Sequence, residues 1–407
     1  MIIFFKKSKI HEIIIFLLVY SFFFILGTFI YKDYGISVDE WDQRILGFVN
    51  LKYIFEIYFQ DSLINLNNII NVPDISIYSE NTHGPILTLF MAFIEYYFNI
   101  DDSQKYYLFR HYANFIIFFI SSIFFFLIIK KRFNSFAYGI IGTLFLFLSP
   151  RIFAESFYNN KDIIFLSLTI INLYYGIKFL NETSYLNTLL FSLTTAFSVD
   201  LRIIGILLPC IIIFLYLIKY DLFKKKLYIK YISLYLLFTP IFITLFWPFL
   251  WNDTFKNFIY VLKSFSAYDW NHYVYYLGEF IHAKNLPWHY IFVWMGLTIP
   301  LFYLIIFLIG FIINSSLIIK RFFELSNNSK NNNMWKNDIE LEDFVNYTFL
   351  VAPIFLIIGL NSTIYDGWRH LYFIYPSFLI LSLRGLNFIE KVYLKNNKKI
   401  LIAFISI

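Results

Sequence analysis

The stretch "GISVDEWDQR", residues 35 to 44, sets three carboxylates, Asp39, Glu40 and Asp42, directly after a long apolar run. Ionisable groups at membrane depth cost about 3 kcal/mol each unless they pair or line a wet cavity, so they are functional candidates by default. Carboxylates take protons from hydroxyl groups and ligate hard cations. Further polar groups recur between apolar segments: "ENTHGP" with His83, "SPRIFAESFYNNKD" with Arg151, Glu155, Lys161 and Asp162, "VDLR" with Arg202, and "YDGWRH" with Arg369 and His370. Arg110, in "YYLFRHYANF", lies at the mouth of an apolar helix. A guanidinium there either holds a phosphate through two parallel hydrogen bonds or snorkels to headgroups, and the residues leave both open.

Plainer roles stand beside each of these. Asp39 and Glu40 also suit a loop that is polar because it meets water. Arg151, Glu155, Lys161 and Asp162 also suit salt bridges among themselves, and His83 beside Gly84 and Pro85 also suits a helix start. Arg202 and Arg369 equally suit phosphate neutralisation, topological anchoring or pairing with Asp200 and Asp366. Trp247, Trp251, Trp270, Trp288 and Trp294 fit an interfacial belt.

The elements that must hold these groups are membrane helices. The chain has 407 residues, is 59% hydrophobic and 23% aromatic with only 15% charged residues, and repeats apolar runs of about 18 to 25 residues, the length that spans hydrocarbon. This predicts an all-α polytopic membrane protein. The net charge of +6 collects in short clusters such as Lys130, Lys131 and Arg132, which mark cytoplasmic loops and not a nucleic-acid partner. A single cysteine, Cys210, excludes an intrachain disulfide and cysteine-cluster zinc sites.

Lys6, Lys7 and Lys9 orient the first span, Ile13 to Ile30, outward, and the run reads as an anchor, not a removed signal peptide. The loop that follows carries "QRILGFVNLKYIFEIYF", which suits an interfacial helix. "PILTLFMAFIEYYF" is short for a span and carries Glu95, so it reads as juxtamembrane or re-entrant. Spans are then expected at 109–129, 136–149, 163–180, 186–199, 203–219, 229–249, 290–312, 347–360 and 372–389, with the basic clusters inside and the unusual polar groups outside. The expected organisation is a catalytic membrane module at 1–312, with its first outer loop at 31–108, an Asn-rich cytoplasmic linker at 313–344, and C-terminal helices at 345–407. "ILIAFISI" is too short to span and suggests a truncated end.

Taken in order, the Asp-Glu pair after the first span, a His-X-Pro element opening a short helix, "FR" before a long span, and "SPR" with a downstream Asp resemble the GT-C superfamily of membrane glycosyltransferases. Within it, the likeness is to the protein O-mannosyltransferase and lipid A aminoarabinose transferase group, over roughly residues 10 to 250. The order and spacing carry the resemblance, since no single motif is specific. It implies a GT-C-type helix bundle with juxtamembrane helices in the first outer loop, in a bacterial inner membrane with the active site facing the periplasm. It also implies a polyprenyl-phosphate sugar as donor and a glycan, lipid or protein as acceptor, in contact with membrane lipids.

Carried over by position, Asp39 resembles the family's catalytic acid with Glu40 as neighbour, and Arg110 the arginine that holds the donor phosphate. His83 matches the first residue of an "HPP" element that reads "HGP" here. Asp162 resembles the second-loop acid, though "NNKD" replaces the usual "LLD" or "TLD". "NLPWHY" and "YDGWRH" resemble outer-face elements of bacterial relatives. Transfer with inversion needs a base for the acceptor proton, for which Asp39 is the candidate, and a cation for the departing phosphate. Arg110 and Arg202 are the expected phosphate ligands, and His83, Arg151, Lys161, Asp162, Arg369 and His370 the expected substrate contacts. Asp39 with Asp162 is the candidate pair for a divalent metal ion. A transporter or lipid flippase is the alternative. It predicts internal repeats and interrupted mid-membrane helices, whereas these charges gather toward one face and no repeat is evident.

Overall fold

The computed structural model describes residues 10–60, 66, 70–219, 226–266, 270–327 and 335–393. It is an all-helical polytopic arrangement apart from one small hairpin. Among the described residues, seven helices are long and apolar enough to cross a membrane: Ile10–Asp33, Ser103–Phe133, Asp162–Asn181, Ile229–Phe246, Leu301–Glu324, Asp338–Gly359 and Arg369–Val392. At 1.5 Å per residue, the 12-residue helix Ile86–Tyr97 reaches only about 18 Å and cannot cross. The chain divides into two compact units, one built from residues 17–121 and 154–269, the other from 1–16, 122–153 and 270–407.

In the first of these, α1 (Ile10–Ile30) leads to α2 (Val38–Tyr58), and α3 (Ile86–Tyr97) packs on α2 around Phe48, Val49, Phe55 and Ala92. The acidic stretch is therefore the first turn of a helix and not a loop. Ser37 and Glu40 have the Ser-x-x-Glu spacing of a capping box, and the Ser37 amide donates to Glu40 Oε1 at 2.6 Å. The chain continues through α4 (Ser103–Phe133), whose second part from residue 122 belongs to the other unit together with α5 (Phe136–Phe147) and the start of α6 (Pro150–Tyr158). It returns to this unit with α7 (Asp162–Asn181), α8 (Tyr185–Leu201), α9 (Leu207–Lys219), α10 (Lys226–Phe246) and α11 (Thr254–Ser266). The almost wholly buried α7 meets α8 through a polar clasp: Thr194 and Thr195 donate to Asn172 Oδ1 at 3.1 and 3.3 Å, and Tyr235 of α10 donates to Thr195 at 3.1 Å. Such bonds hold helices together where lipid removes the hydrophobic drive to associate.

The other unit holds the hairpin β1 (Tyr273–Tyr276) and β2 (Glu279–His282), then α12 (Tyr290–Thr298), α13 (Leu301–Asn327), α14 (Asp338–Gly359) and α15 (Tyr375–Tyr393). A single span at 290–312 was expected. The chain instead breaks at Ile299, which is extended (φ −91°, ψ 135°) because Pro300 disfavours the helical region in the residue before it. The crossing helix starts afresh at Leu301. The expected linker at 313–344 is helical at both ends, since α13 continues to Asn327 and α14 starts at Asp338 behind an Asn337 cap that accepts from the Glu340 amide. Residues 328–334 and the C-terminal "ILIAFISI" lie outside the described residues.

α13 and α15 cross at Gly310 and Gly385, each of which stands against the backbone of the opposite helix, so a methyl group at either would collide with a carbonyl. Elsewhere in the unit, Arg132 grips Asp343 through two bonds of 2.6 and 2.5 Å, Arg384 pairs with the same carboxylate, and Tyr138 donates to Glu390 at 2.6 Å. A twice-paired buried Asp avoids the penalty of a lone buried charge.

Candidate functional site

The N-terminus of α2 is fixed from three sides. Glu40 is fully buried, with one oxygen in the capping box and the other 2.9 Å from His111 Nε2. Ser37 Oγ donates to the Tyr158 carbonyl at 3.3 Å, and the Tyr34 ring stacks on Phe157 at 4.6 Å. Glu40 is thus committed to holding the helix start. Asp39, the next residue back, is half-buried.

Directly after Tyr158, the turn into α7 is built by Asn159. Its Oδ1 accepts from the amides of Asp162 (2.7 Å) and Lys161 (3.3 Å), and its amide nitrogen donates to Glu155 (2.7 Å) and Asp162 (3.2 Å). This is an Asx turn that satisfies helix-start amides. It presents Lys161 and Asp162 side by side. Arg202 pairs with Asp162, and not with Asp200.

Asp200 instead accepts from the Ile86 amide at 2.9 Å, placing a carboxylate at the N-terminus of α3, where the helix dipole favours it. Gly84 stands directly against Asp200, so a Cβ there would run into its backbone carbonyl and carboxylate. The glycine in "HGP" has that physical cause. His83, buried, has Nδ1 2.9 Å from Glu80 Oε2, at an angle poor for a hydrogen bond, and meets the edge of Phe265.

Lys161 ties these pieces together. Burial, and next the Arg202 guanidinium, push its ammonium down to about 8, against the opposing pull of Asp162, Glu80 and Asp39. Burial and Lys161 push His83 down to about 4, so its imidazole is neutral at pH 7. Glu80 is held below its ordinary value by its contact with His83. Asp42 is raised, first by partial burial and then by the charges of Glu80 and Asp39. Asp39, Asp42, Glu80, His83, Lys161, Asp162 and Arg202 therefore share one electrostatic neighbourhood. It contains unmet hydrogen-bonding capacity: both ends of the buried Asn160 amide and the Arg202 Nε lack a partner among the described residues. Each such group costs about 1–3 kcal/mol unless water or a ligand satisfies it.

Arg110 lies apart from this group. It is fully buried, donates to Glu95 Oε1 at 2.5 Å and touches the Met91 sulfur at 3.9 Å, while Arg44 takes the other Glu95 oxygen at 2.8 Å and sits 3.8 Å over the Tyr106 ring. Neither headgroup snorkelling nor an open phosphate fork describes this placement. Arg151, Arg369 and His370 belong to the other unit and gather there. Arg151 donates to Tyr372 Oη and to the Asp366 carbonyl (3.3 Å), Arg369 pairs with Asp366 (3.3 Å), and His370 meets Tyr365 edge-on.

No three His, Cys, Asp or Glu side chains among the described residues come together so as to hold a metal ion. Asp162, half of the expected metal pair, has its oxygens on Arg202 and Asn159.

Sequence reading named Asp42 without giving it a role, and it missed Glu80 and Asn160 as members of the neighbourhood and the joining of Glu95 to Arg110. Glu80 and Asn160 lie within motifs already singled out, and their polarity beside His83 and Lys161 was the available signal. Compared with known proteins, the chain matches no family model, no curated protein and no solved structure.

Proposed function

We propose that this protein is a membrane glycosyltransferase of GT-C type, moving a sugar from a polyprenyl phosphate to an acceptor hydroxyl at the outer face of a bacterial inner membrane. One observation carries the reading: Asp39, His83, Lys161, Asp162 and Arg202, separated by up to 163 positions in the chain, share one charged neighbourhood beside the ends of apolar helices. A polyprenyl chain lies in the bilayer while its phosphate and sugar sit at the interface, a setting that charges held at the ends of apolar helices suit.

Asp39 accepts the proton of the acceptor hydroxyl, whose oxygen attacks the anomeric carbon as the bond from that carbon to the phosphate oxygen breaks. The bonding pair leaves with the phosphate, and inversion follows from the single displacement. The cations that meet this charge are Lys161 and Arg202, in the place that the family resemblance gives to Arg110, because Arg110 is spent on Glu95. Asp162 orients Arg202, and Asn160 offers its unsatisfied amide to the same ligand. Preorganised donors of this kind stabilise charge that develops only in the transition state. Glu40 holds α2, and with it Asp39, in place.

The test is release of free polyprenyl phosphate from a panel of polyprenyl-phosphate sugars by the protein in lipid, with a membrane extract as source of acceptors. Release by the wild type and none by Asp39→Asn supports the assignment. No release from any donor overturns it.

A further inference from the structure

We infer that the β1–β2 hairpin is a membrane-surface anchor whose tip, Leu277, enters the lipid interface. The hairpin closes through Leu277 and Gly278, both at positive φ (50° and 93°), as a type I′ turn requires at its two central positions. Asn, Asp or Gly takes the first of these at little cost, whereas a leucine in the left-handed region is uncommon. Leu277 is nonetheless 71% exposed, so no packing within the protein compensates the strain.

The two faces of the hairpin also differ. Val274 and Tyr276 are buried, with the Tyr276 hydroxyl 2.8 Å from His289 Nδ1. On the opposite face Tyr273, Tyr275 and Phe280 are exposed, and Tyr275 and Phe280 pair across the strands with ring centres 5.2 Å apart. Strands normally turn polar residues outward, and this one turns aromatic rings outward. Further along the chain Trp288, Leu297 and Leu301 are exposed as well, leading into α13, a helix apolar and long enough to span the bilayer. The hairpin's place in the chain, about twenty residues before a helix able to cross the membrane, with exposed apolar side chains recurring between, selects the bilayer as the occupant. Tyr and Trp favour the headgroup level, and a leucine tip favours the acyl boundary beneath it.

The test uses the full chain in lipid nanodiscs, with Cys210→Ser and Leu277→Cys, carrying an environment-sensitive fluorophore on residue 277. A Lys284→Cys counterpart, also exposed, reports the aqueous side of the same segment. Quenching of the 277 label by doxyl-labelled lipid several-fold stronger than by iodide, with the reverse order at 284, supports the anchor. Iodide quenching at 277 equal to that at 284 overturns it, as does release of the 277 label's shielding by a soluble oligosaccharide, which would mark a glycan surface. Leu277→Asn supplies an independent check, because Asn suits the turn. An unfolding midpoint in detergent that holds or rises supports a side chain placed for the membrane, and a lowered midpoint places Leu277 in a protein contact and overturns the proposal.

Discussion

Around Glu95, two arginines close on one carboxylate that is entirely buried, each charge answered at 2.5 to 2.8 Å. Around Lys161, by contrast, an ammonium stands half-buried among Asp39, Glu80 and Asp162, with Arg202 and Asn160 holding unmet donors nearby. Both clusters belong to the same unit, and both combine acids and bases near helix ends. The first pairs each charge with an opposite one in the dry interior, with Arg110 Nη2 alone lacking a partner among the described residues, which serves structure. The second keeps Asp39 and Lys161 partly exposed and so retains the electrostatic capacity that a phosphate and a sugar require, and access to the charges separates the two roles where residue type does not.

Removing one charge from each cluster should have opposite signatures. Asp39→Asn is expected to lower transfer by about 10²- to 10⁴-fold, the usual contribution of a general base, while leaving the unfolding midpoint in detergent unchanged. Glu95→Ala is expected to do the reverse at first hand: stranding Arg44 and Arg110 in the interior should cost about 3–5 kcal/mol of stability, read as a large fall in midpoint. An unchanged midpoint for Glu95→Ala would mean that the cluster is wet, and would break the contrast.

How far the sequence disclosed this contrast depends on distance along the chain. Groups that lie together in sequence were readable in type, as with the acids after the first span and the charged NNKD stretch, whereas the equally local Ser37 to Glu40 capping box, hidden by reading that stretch as a loop, was not. Apolar run length likewise exposed the spans, because hydrocarbon thickness fixes it. Pairings chosen by tertiary packing were not readable. Nothing local tells Arg110 to meet Glu95 and Arg44, or Arg202 to prefer Asp162 over Asp200 two residues away. The break at Pro300 was present in the sequence but was overridden by the apolar character on both sides of it. The hairpin was concealed because its turn reads Leu-Gly where Asn-Gly would signal it.

A smaller effect separates the clusters by pH. Because His83 is held at about 4 in the folded chain against an ordinary 6.5, the unfolded state binds the proton first as pH falls. Stability is therefore unaffected above pH 6.5 and declines between 6.5 and about 4, by up to about 3 kcal/mol. His83→Gln should flatten that part of the profile of unfolding midpoint against pH. A slope that persists undiminished in the variant would move the titrating group elsewhere.

The smallest predicted effect lies at the alkaline end and bears directly on which cation meets the donor. With its ammonium held at about 8, Lys161 loses its proton just above neutrality, whereas Arg202 stays charged throughout. If Lys161 contacts the donor phosphate, affinity for a polyprenyl-phosphate sugar should fall by about tenfold per pH unit above 8, and Lys161→Arg should carry full affinity to higher pH. Lys161→Met should bind weakly at every pH and show no alkaline limb. An affinity profile that is flat to pH 9.5 in the wild type would assign the phosphate to Arg202 alone and leave Lys161 as the group that keeps Asp39, Glu80 and Asp162 from repelling one another.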